Sequence, residues 1–225
     1  MNALLKPYFE NIVFSGNLAQ DVTAVLTHHQ FPKVAGHVNR VAREARRLAL
    51  QFGADPVGAE TAGWLHDISA IIPNRVRVEM CQAFSVSVLP GEAGFPMILH
   101  QKLSVVVAHE VFGVVEPAVL SAIGCHTTLK PVASLLDKIV FIADKIKWDQ
   151  PGEPPYLDAL ETAVAHDIDD ACLVYHDYLW QQRDSLRFAH PWFLDSRAEL
   201  LSIRGEEHDF GSSNFERKGG RNGRF

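Results

Sequence analysis

The sequence predicts an all-α fold, and three observations carry that prediction. Apolar residues recur at three- and four-residue intervals in nearly every segment, the pattern of a helix with one buried face. Proline and glycine fall mostly between those segments, where they punctuate helices rather than break them. No stretch sustains the apolar–polar alternation of a half-buried strand; SVSVLPGEAGFP begins that way, but its Pro and Gly content makes it a loop.

Residues 18–29 (LAQDVTAVLTHH) form a first helix, stopped at Phe31-Pro32, with His28 and His29 at the end where positive charge suits the helix dipole. A second helix runs from Val34 to Phe52. Its apolar stripe is Val38, Val41, Ala45, Leu48 and Ala49, its solvated face carries Arg43, Arg46 and Arg47, and Gly53 is its stop. Asp55-Pro56 supplies an N-cap followed by proline at the first helical position, opening a helix expected to continue through Asp67. Pro73-Asn74 opens a short helix, NRVRVEMCQAF, and helices are expected over 96–112, 116–126 and 132–148. PGEPP at 151–155 is the strongest break in the chain. Beyond it, 156–187 and 191–203 read as helices. The expected division is a domain over 1–150, a helical extension over 151–204, and a tail over 205–225 whose Gly, Ser and charge content predicts disorder.

At 225 residues the chain can bury a substantial core. A net charge of −6 and a pI near 6.0 argue against a nucleic-acid interface, which needs a basic face, but leave room for a small phosphorylated substrate. Cys81, Cys125 and Cys172 form no CxxC pair and read as reduced thiols, Cys125 as core packing. The start, MNALLKPYFENIVF, is interrupted by Lys6, Pro7 and Glu10, so no secretory signal is expected. No membrane span is expected either, and the cytoplasm is the predicted compartment.

The chemistry lies in the histidines and acids that end apolar runs. His66-Asp67 follows ETAGWL, His100 follows PMIL, His126 follows AIGC, Asp144 follows KIVFIA, and His37 opens the second helix. Each occupies a place where a buried helix interior would otherwise continue, and a buried charge or imidazole is costly unless paired or bound to metal. Imidazole and carboxylate ligands suit iron, manganese or zinc, and a carboxylate can bridge two such ions. Counting ligands, one metal takes His37, His66, Asp67 and Asp144; Asp67 bridges to a second, which takes His100 and His126. Two metals about 3.5–4 Å apart can hold a bridging hydroxide and clamp a phosphoryl oxygen.

HVNRVAREARRLA, AGWLHDISAIIP, ILHQKLSVVVAHEVFG and AIGCHTTLKPVASLLDKIVFIADKIK, in that order, resemble the HD-domain superfamily. More narrowly, they resemble its YqeK-type symmetrical bis(5′-nucleosyl)-tetraphosphatases. The resemblance spans Val34 to Lys147. It implies an all-α HD-domain bundle, a di-iron site on the same six residues, and hydrolysis of diadenosine tetraphosphate to two ADP. Ala70 stands where HD hydrolases often carry lysine, so another cation must meet the phosphates: Arg40, Lys102, Lys130 and Lys147 are the candidates.

Further candidates come from position. Arg40 shares a helix face with His37 and either meets phosphate or pairs with an acid. His109 is placed as a proton donor to the leaving group, and the Thr127 hydroxyl and N–H as phosphate contacts. Trp148 reads as a bundle-end residue that could stack on a base; His166, His176 and His190 are expected at the surface. Two alternatives accompany the tetraphosphatase reading: an HD phosphohydrolase of nucleoside monophosphates or cyclic nucleotides, and a weakly catalytic nucleotide-binding regulatory module. The expected partner is a small nucleotide, with no nucleic acid and no membrane; oligomeric state is left open, a homodimer included.

Overall fold

Where the sequence supplies a cap, a helix starts. The computed structural model describes residues 2–148 and 150–205. After a single turn, α1 (Lys6–Phe9), comes α2 (Leu18–His28), capped by the Asn17 side chain, which accepts from the Gln20 N–H at 3.1 Å. Pro32 stands at the first position of α3 (Pro32–Phe52), and Gly53 ends it with φ of 73°. Asp55 caps α4 (Pro56–Leu65) by accepting from the Val57 N–H at 2.9 Å. Then follow α5 (Arg77–Ala83), the short α6 (Pro90–Gly94), α7 (His100–Glu110) and α8 (Pro117–Gly124). Ser134 and Asp137 form a capping box on α9 (Leu135–Ile146). The chain closes with α10 (Leu157–Val164), α11 (Ile168–Gln181) and α12 (Pro191–Arg204). Among the described residues there is no strand.

Two helices organise the rest. The stripe expected on α3 is buried, and it packs along α4, α9 and α2. The run on α9 is buried almost all round because α3, α4, α8, α10 and α11 enclose it. Gly63 sets the spacing of α3 and α4. A Cβ there would lie 2.5 Å from the Ala42 Cα and 2.8 Å from the Ala42 nitrogen, so only glycine allows the two backbones to touch. One hydrophobic cluster takes Leu160, Ala171, Cys172 and Leu200 from beyond residue 151 together with Val38, Leu65 and Phe141 from before it. The PGEPP break is therefore a loop across a shared core.

Several boundaries differ from expectation. Helix α4 ends at Leu65 instead of running through Asp67. The His66 ring donates from Nδ1 to the Gly63 carbonyl at 2.8 Å, taking the acceptor that the Asp67 N–H would need to continue the helix. The helix expected over 96–112 is a 3₁₀ turn, Pro96–Leu99, followed by α7. The one expected over 156–187 is split because Asp167 caps a new start, accepting from Asp169 N and Asp170 N. His176 and His190, expected at the surface, are buried; His166 is exposed. The tail expected to be disordered lies outside the described residues apart from Gly205.

Candidate metal centre

Four imidazoles converge from four parts of the chain. His37 comes from the second turn of α3, His66 caps the end of α4, His100 opens α7, and His126 follows α8. Asp144 joins them from α9. Asp67 sits between α4 and the 3₁₀ turn Ile68–Ile71 with φ −109° and ψ 14°, in the sparsely allowed bridge region that turns its carboxylate into the cluster.

The Asp67 carboxylate divides the cluster in two. Its Oδ2 is 3.5 Å from His66 Nε2 and 3.9 Å from His37 Nε2, while its Oδ1 is 3.4 Å from His100 Nε2 and 3.5 Å from His126 Nε2. On the first side, Asp144 Oδ1 lies 3.0 Å from His37 Nε2 and 3.6 Å from His66 Nε2. The structure thus brings together all six residues that the sequence singled out, in the grouping that ligand counting suggested.

Each ring is oriented through its other nitrogen. His66 Nδ1 faces the Gly63 carbonyl at 2.8 Å, His100 Nδ1 that of Met97 at 2.7 Å, and His126 Nδ1 that of Ile123 at 2.8 Å. His37 Nδ1 faces the carbonyl of Lys147 at 3.0 Å. A carbonyl only accepts, so all four rings carry a hydrogen on Nδ1, and in the neutral ring Nε2 is a bare lone pair.

Those lone pairs point at one another: His37 and His66 Nε2 are 3.2 Å apart, and His100 and His126 Nε2 are 3.1 Å apart. Acceptor facing acceptor, with carboxylates around, is repulsive unless a cation lies between. The donor set therefore fits a divalent ion on each side of Asp67. Three-residue groups on the two sides, His37–His66–Asp67 and Asp67–His100–His126, have ligand atoms all within 4.8 Å of one another.

The electrostatics state the same demand. Burial is the largest influence on His66 and pushes its pKa down, yet Asp67 and Asp144 outweigh it and raise the value to about 9. Burial likewise acts to raise both acids, but the surrounding imidazoles hold Asp67 well below the usual carboxylate range, and Lys145 with His37 and His66 does so for Asp144. His100 is pushed down to about 4 by burial, which outweighs the nearby Asp67, with His126 and Arg77 adding to the fall. The cluster attracts positive charge and concentrates it on one side.

The other expected residues fare differently. Thr127 is in place: its hydroxyl is 2.8 Å from His100 Nε2. Arg40 lies one turn beyond His37, exposed and without an ion pair among the described residues. Lys102 is engaged elsewhere, 2.8 Å from the fully buried Glu92, and Lys130 lies 3.2 Å from the buried Asp137. Lys147 pairs with Glu44 at 3.0 Å. His109, expected to protonate a leaving group, is exposed near the far end of α7 beside Glu110, roughly 13 Å along the helix from His100. Trp148 packs edge-on against Tyr156 at the bundle end.

Three supporting residues were not anticipated. Lys145 is buried and donates to Asp144 Oδ2 at 2.6 Å and to the His126 carbonyl at 3.0 Å, tying the two sides of the cluster together. Arg77 is buried and donates to the Met97 carbonyl that also receives His100. Gln101 Oε1 accepts from the N–H of Thr128 at 3.1 Å and of Thr127 at 3.3 Å, fixing the turn after His126. A lysine directly after Asp144 in an otherwise apolar run was a readable signal, since a buried ammonium needs a carboxylate. Arg77 and Gln101 gave none, because their partners are backbone carbonyls and amides, which leave no mark in the residue pattern.

Comparison with known proteins agrees with this geometry. The HD domain profile matches residues 34–149, which include the whole cluster. An uncharacterised protein in the pepC 5′ region of Lactococcus lactis subsp. cremoris is 44% identical over 142 residues, 63% of this chain and 72% of that protein. A symmetrical bis(5′-nucleosyl)-tetraphosphatase of Halalkalibacterium halodurans is 30% identical over 160 residues, 70% of this chain and 81% of that enzyme. A crystal structure of a "predicted HD superfamily hydrolase involved in NAD metabolism" from Clostridium acetobutylicum superposes with a TM-score of 0.76 at 29% identity, covering 82% of this chain and 97% of that one. A histidine–aspartate cluster on a helical bundle, a matching profile and these relatives lead to one assignment: the chain belongs to the HD-domain family and is one of its hydrolases.

Proposed function

We propose that this chain hydrolyses phosphoanhydrides of nucleotides, with diadenosine tetraphosphate cleaved to two ADP as the leading reaction. The carrying observation is the Asp67 carboxylate set between two facing imidazole pairs, a donor set for two divalent cations. His37, His66, Asp67 and Asp144 would hold one ion, and Asp67, His100 and His126 the other. Iron is the first choice, with manganese and zinc compatible with the same ligands. Bound there, such ions supply Lewis acidity, acidifying water and neutralising phosphate charge. The symmetrical tetraphosphatase activity named for the Halalkalibacterium relative supports the substrate.

The chain's own residues orient and compensate. Thr127, with its hydroxyl beside His100, offers a donor to a phosphate oxygen. Arg40 is the cation of the four candidates that no acid among the described residues engages. Lys145 holds Asp144 so that one oxygen faces the imidazoles. Water adds across the central P–O–P linkage, its hydroxyl going to one phosphorus and its proton ending on the other half.

That three of the four candidate cations are engaged by acids favours one competing substrate, a nucleoside monophosphate or cyclic nucleotide, which presents less charge. Among the described residues no helix is long and apolar enough to cross a membrane, and the three cysteines are free and buried; a cytoplasmic setting completes the proposal.

Protein loaded with iron under reducing conditions should release ADP from diadenosine tetraphosphate faster than it cleaves mononucleotides or cyclic nucleotides. Asp67→Ala should abolish turnover. Cleavage of monophosphates alone would replace the substrate assignment, and wild-type turnover by Asp67→Ala would overturn the site.

A further inference from the structure

We propose that a pocket beside the metal centre, walled by the C-terminal extension, receives one heteroaromatic ring: the nucleobase of a nucleotide whose phosphates meet the metals. This rests on the proposed function for its phosphates, whereas the pocket is a feature of the fold whatever the reaction. A cavity of about 180 Å³ lies between Phe141 and Thr127–Thr128 of the HD core and Tyr175, Phe188 and Phe193 of the extension. It is smaller than the roughly 300–1,000 Å³ of sites that enclose whole drug-sized ligands, so it suits a single ring system rather than a dinucleotide.

Three features choose the occupant. The wall is aromatic, and a flat π-face is what a base stacks on. The pocket also adjoins the cluster through one residue: Thr127 lines it, and the same side chain's hydroxyl is 2.8 Å from His100 Nε2. Whatever fills the pocket is therefore attached close to the group at the second metal position. Lys145 ties the far wall to the same centre, lying 5.0 Å from the Phe141 ring and 5.3 Å from the Tyr175 ring while holding Asp144.

The pocket's polar groups sort cleanly. His176 has both nitrogens engaged, by the Cys172 carbonyl at 2.7 Å and the Ser196 hydroxyl at 2.8 Å. His190 is held by Glu92 at 3.1 Å and by the Trp192 N–H at 3.1 Å. Both are wall. The hydroxyls of Thr128 and Tyr175 have no hydrogen-bond partner among the described residues. Hydroxyls donate or accept as needed, so this pair reads the edge of a ring without demanding one particular base. A substrate with two identical nucleosides needs only one such pocket, since either half fits.

The test compares a nucleotide with its base-free counterpart. Wild-type protein loaded with manganese is titrated calorimetrically with ADP and with inorganic pyrophosphate. Stacking predicts that ADP binds about tenfold or more tightly than pyrophosphate. Leu186 is a partly exposed pocket residue on the irregular segment after α11, and Leu186→Trp fills the space. It should weaken ADP about tenfold and leave pyrophosphate within about twofold. Equal affinities in the wild type, or an unchanged ratio in Leu186→Trp, would overturn the pocket. If that variant fails to fold, Tyr175→Phe decides: the ratio should fall about threefold, as for one lost hydrogen bond, and an unchanged ratio counts against the proposal. Hydrolysis is scored separately. Cleavage with a flat ratio removes only the pocket, and a clear ratio without cleavage removes only the reaction.

Discussion

Replacing Gly63 by alanine should injure the metal centre by moving a helix. The added Cβ would sit 2.5 Å from the Ala42 Cα and 2.8 Å from the Ala42 nitrogen, where ordinary contact begins at 3.4 Å. Backbone atoms cannot rotate aside, so α4 must retreat from α3 by about 1 Å, the difference between those distances. His66 rides on the end of α4 and His37 on α3, their Nε2 atoms 3.2 Å apart, so the shift is a third of the gap that a shared cation would span. Overpacking of this kind costs about 1–3 kcal/mol, which at this chain length lowers Tm by roughly 2–12 °C. A displacement of about 1 Å in a reacting constellation costs on the order of a hundredfold in rate. Urea denaturation, metal content by mass spectrometry and turnover of the loaded enzyme measure the three consequences. Gly94→Ala is the control, because a Cβ at Gly94 meets nothing within 4 Å. Wild-type stability and full metal content in Gly63→Ala would show that the two backbones are not in contact.

Three further outcomes follow from the charges. Stripped of metal, the protein should be most stable near pH 6.5. Burial lowers the His66 pKa but Asp67 and Asp144 raise it to about 9, so its contribution is complete below the ordinary value of 6.5 and disappears as pH rises through 9. Burial holds His100 down at about 4, so stability also falls as pH drops from 6.5 toward that value. Thermal melts in chelator across this range should trace a peak whose alkaline side flattens when metal is restored, and a flat metal-free profile from 6.5 to 9 would contradict the geometry. Lys145→Met leaves Asp144 without its ammonium and should cost about 3–5 kcal/mol in metal-free protein, with added divalent metal recovering much of the loss in urea titrations. Lys102→Met removes one partner of the fully buried Glu92, which keeps His190 and the Leu89 N–H, and should lower stability by about 1.5–3 kcal/mol while leaving KM for a nucleotide unchanged. A raised KM at full stability would return Lys102 to the substrate.

The helices were legible because their limits are local. Gly53 and Asp55-Pro56 act within one turn of themselves, and each sits where a helix ends or begins. The cluster was legible because six polar residues interrupt apolar runs, where an imidazole or carboxylate is tolerated only beside a partner or a metal. What escaped depends on partners distant in sequence. Lys102 and Lys130 read as free cations until Glu92 and Asp137 are seen buried beside them. His109 shares an amphipathic helix with His100, but periodicity does not say how far along the axis the centre extends. The end of α4 was misplaced because the His66 ring, a side chain, takes a backbone acceptor that helix propensity assumes to be free.

Three of the four imidazoles are locked by a carbonyl three residues earlier in their own chain, whereas His37 is locked by the carbonyl of Lys147, 110 residues away. The first three can acquire their orientation as soon as the local turn forms, before any long loop closes. The fourth acquires it only when the end of α9 docks on α3. Of the two ion positions, the one shared by His100 and His126 can thus be prepared early in folding. The one at His37 acts as a clasp, recording that the two ends of the domain have met.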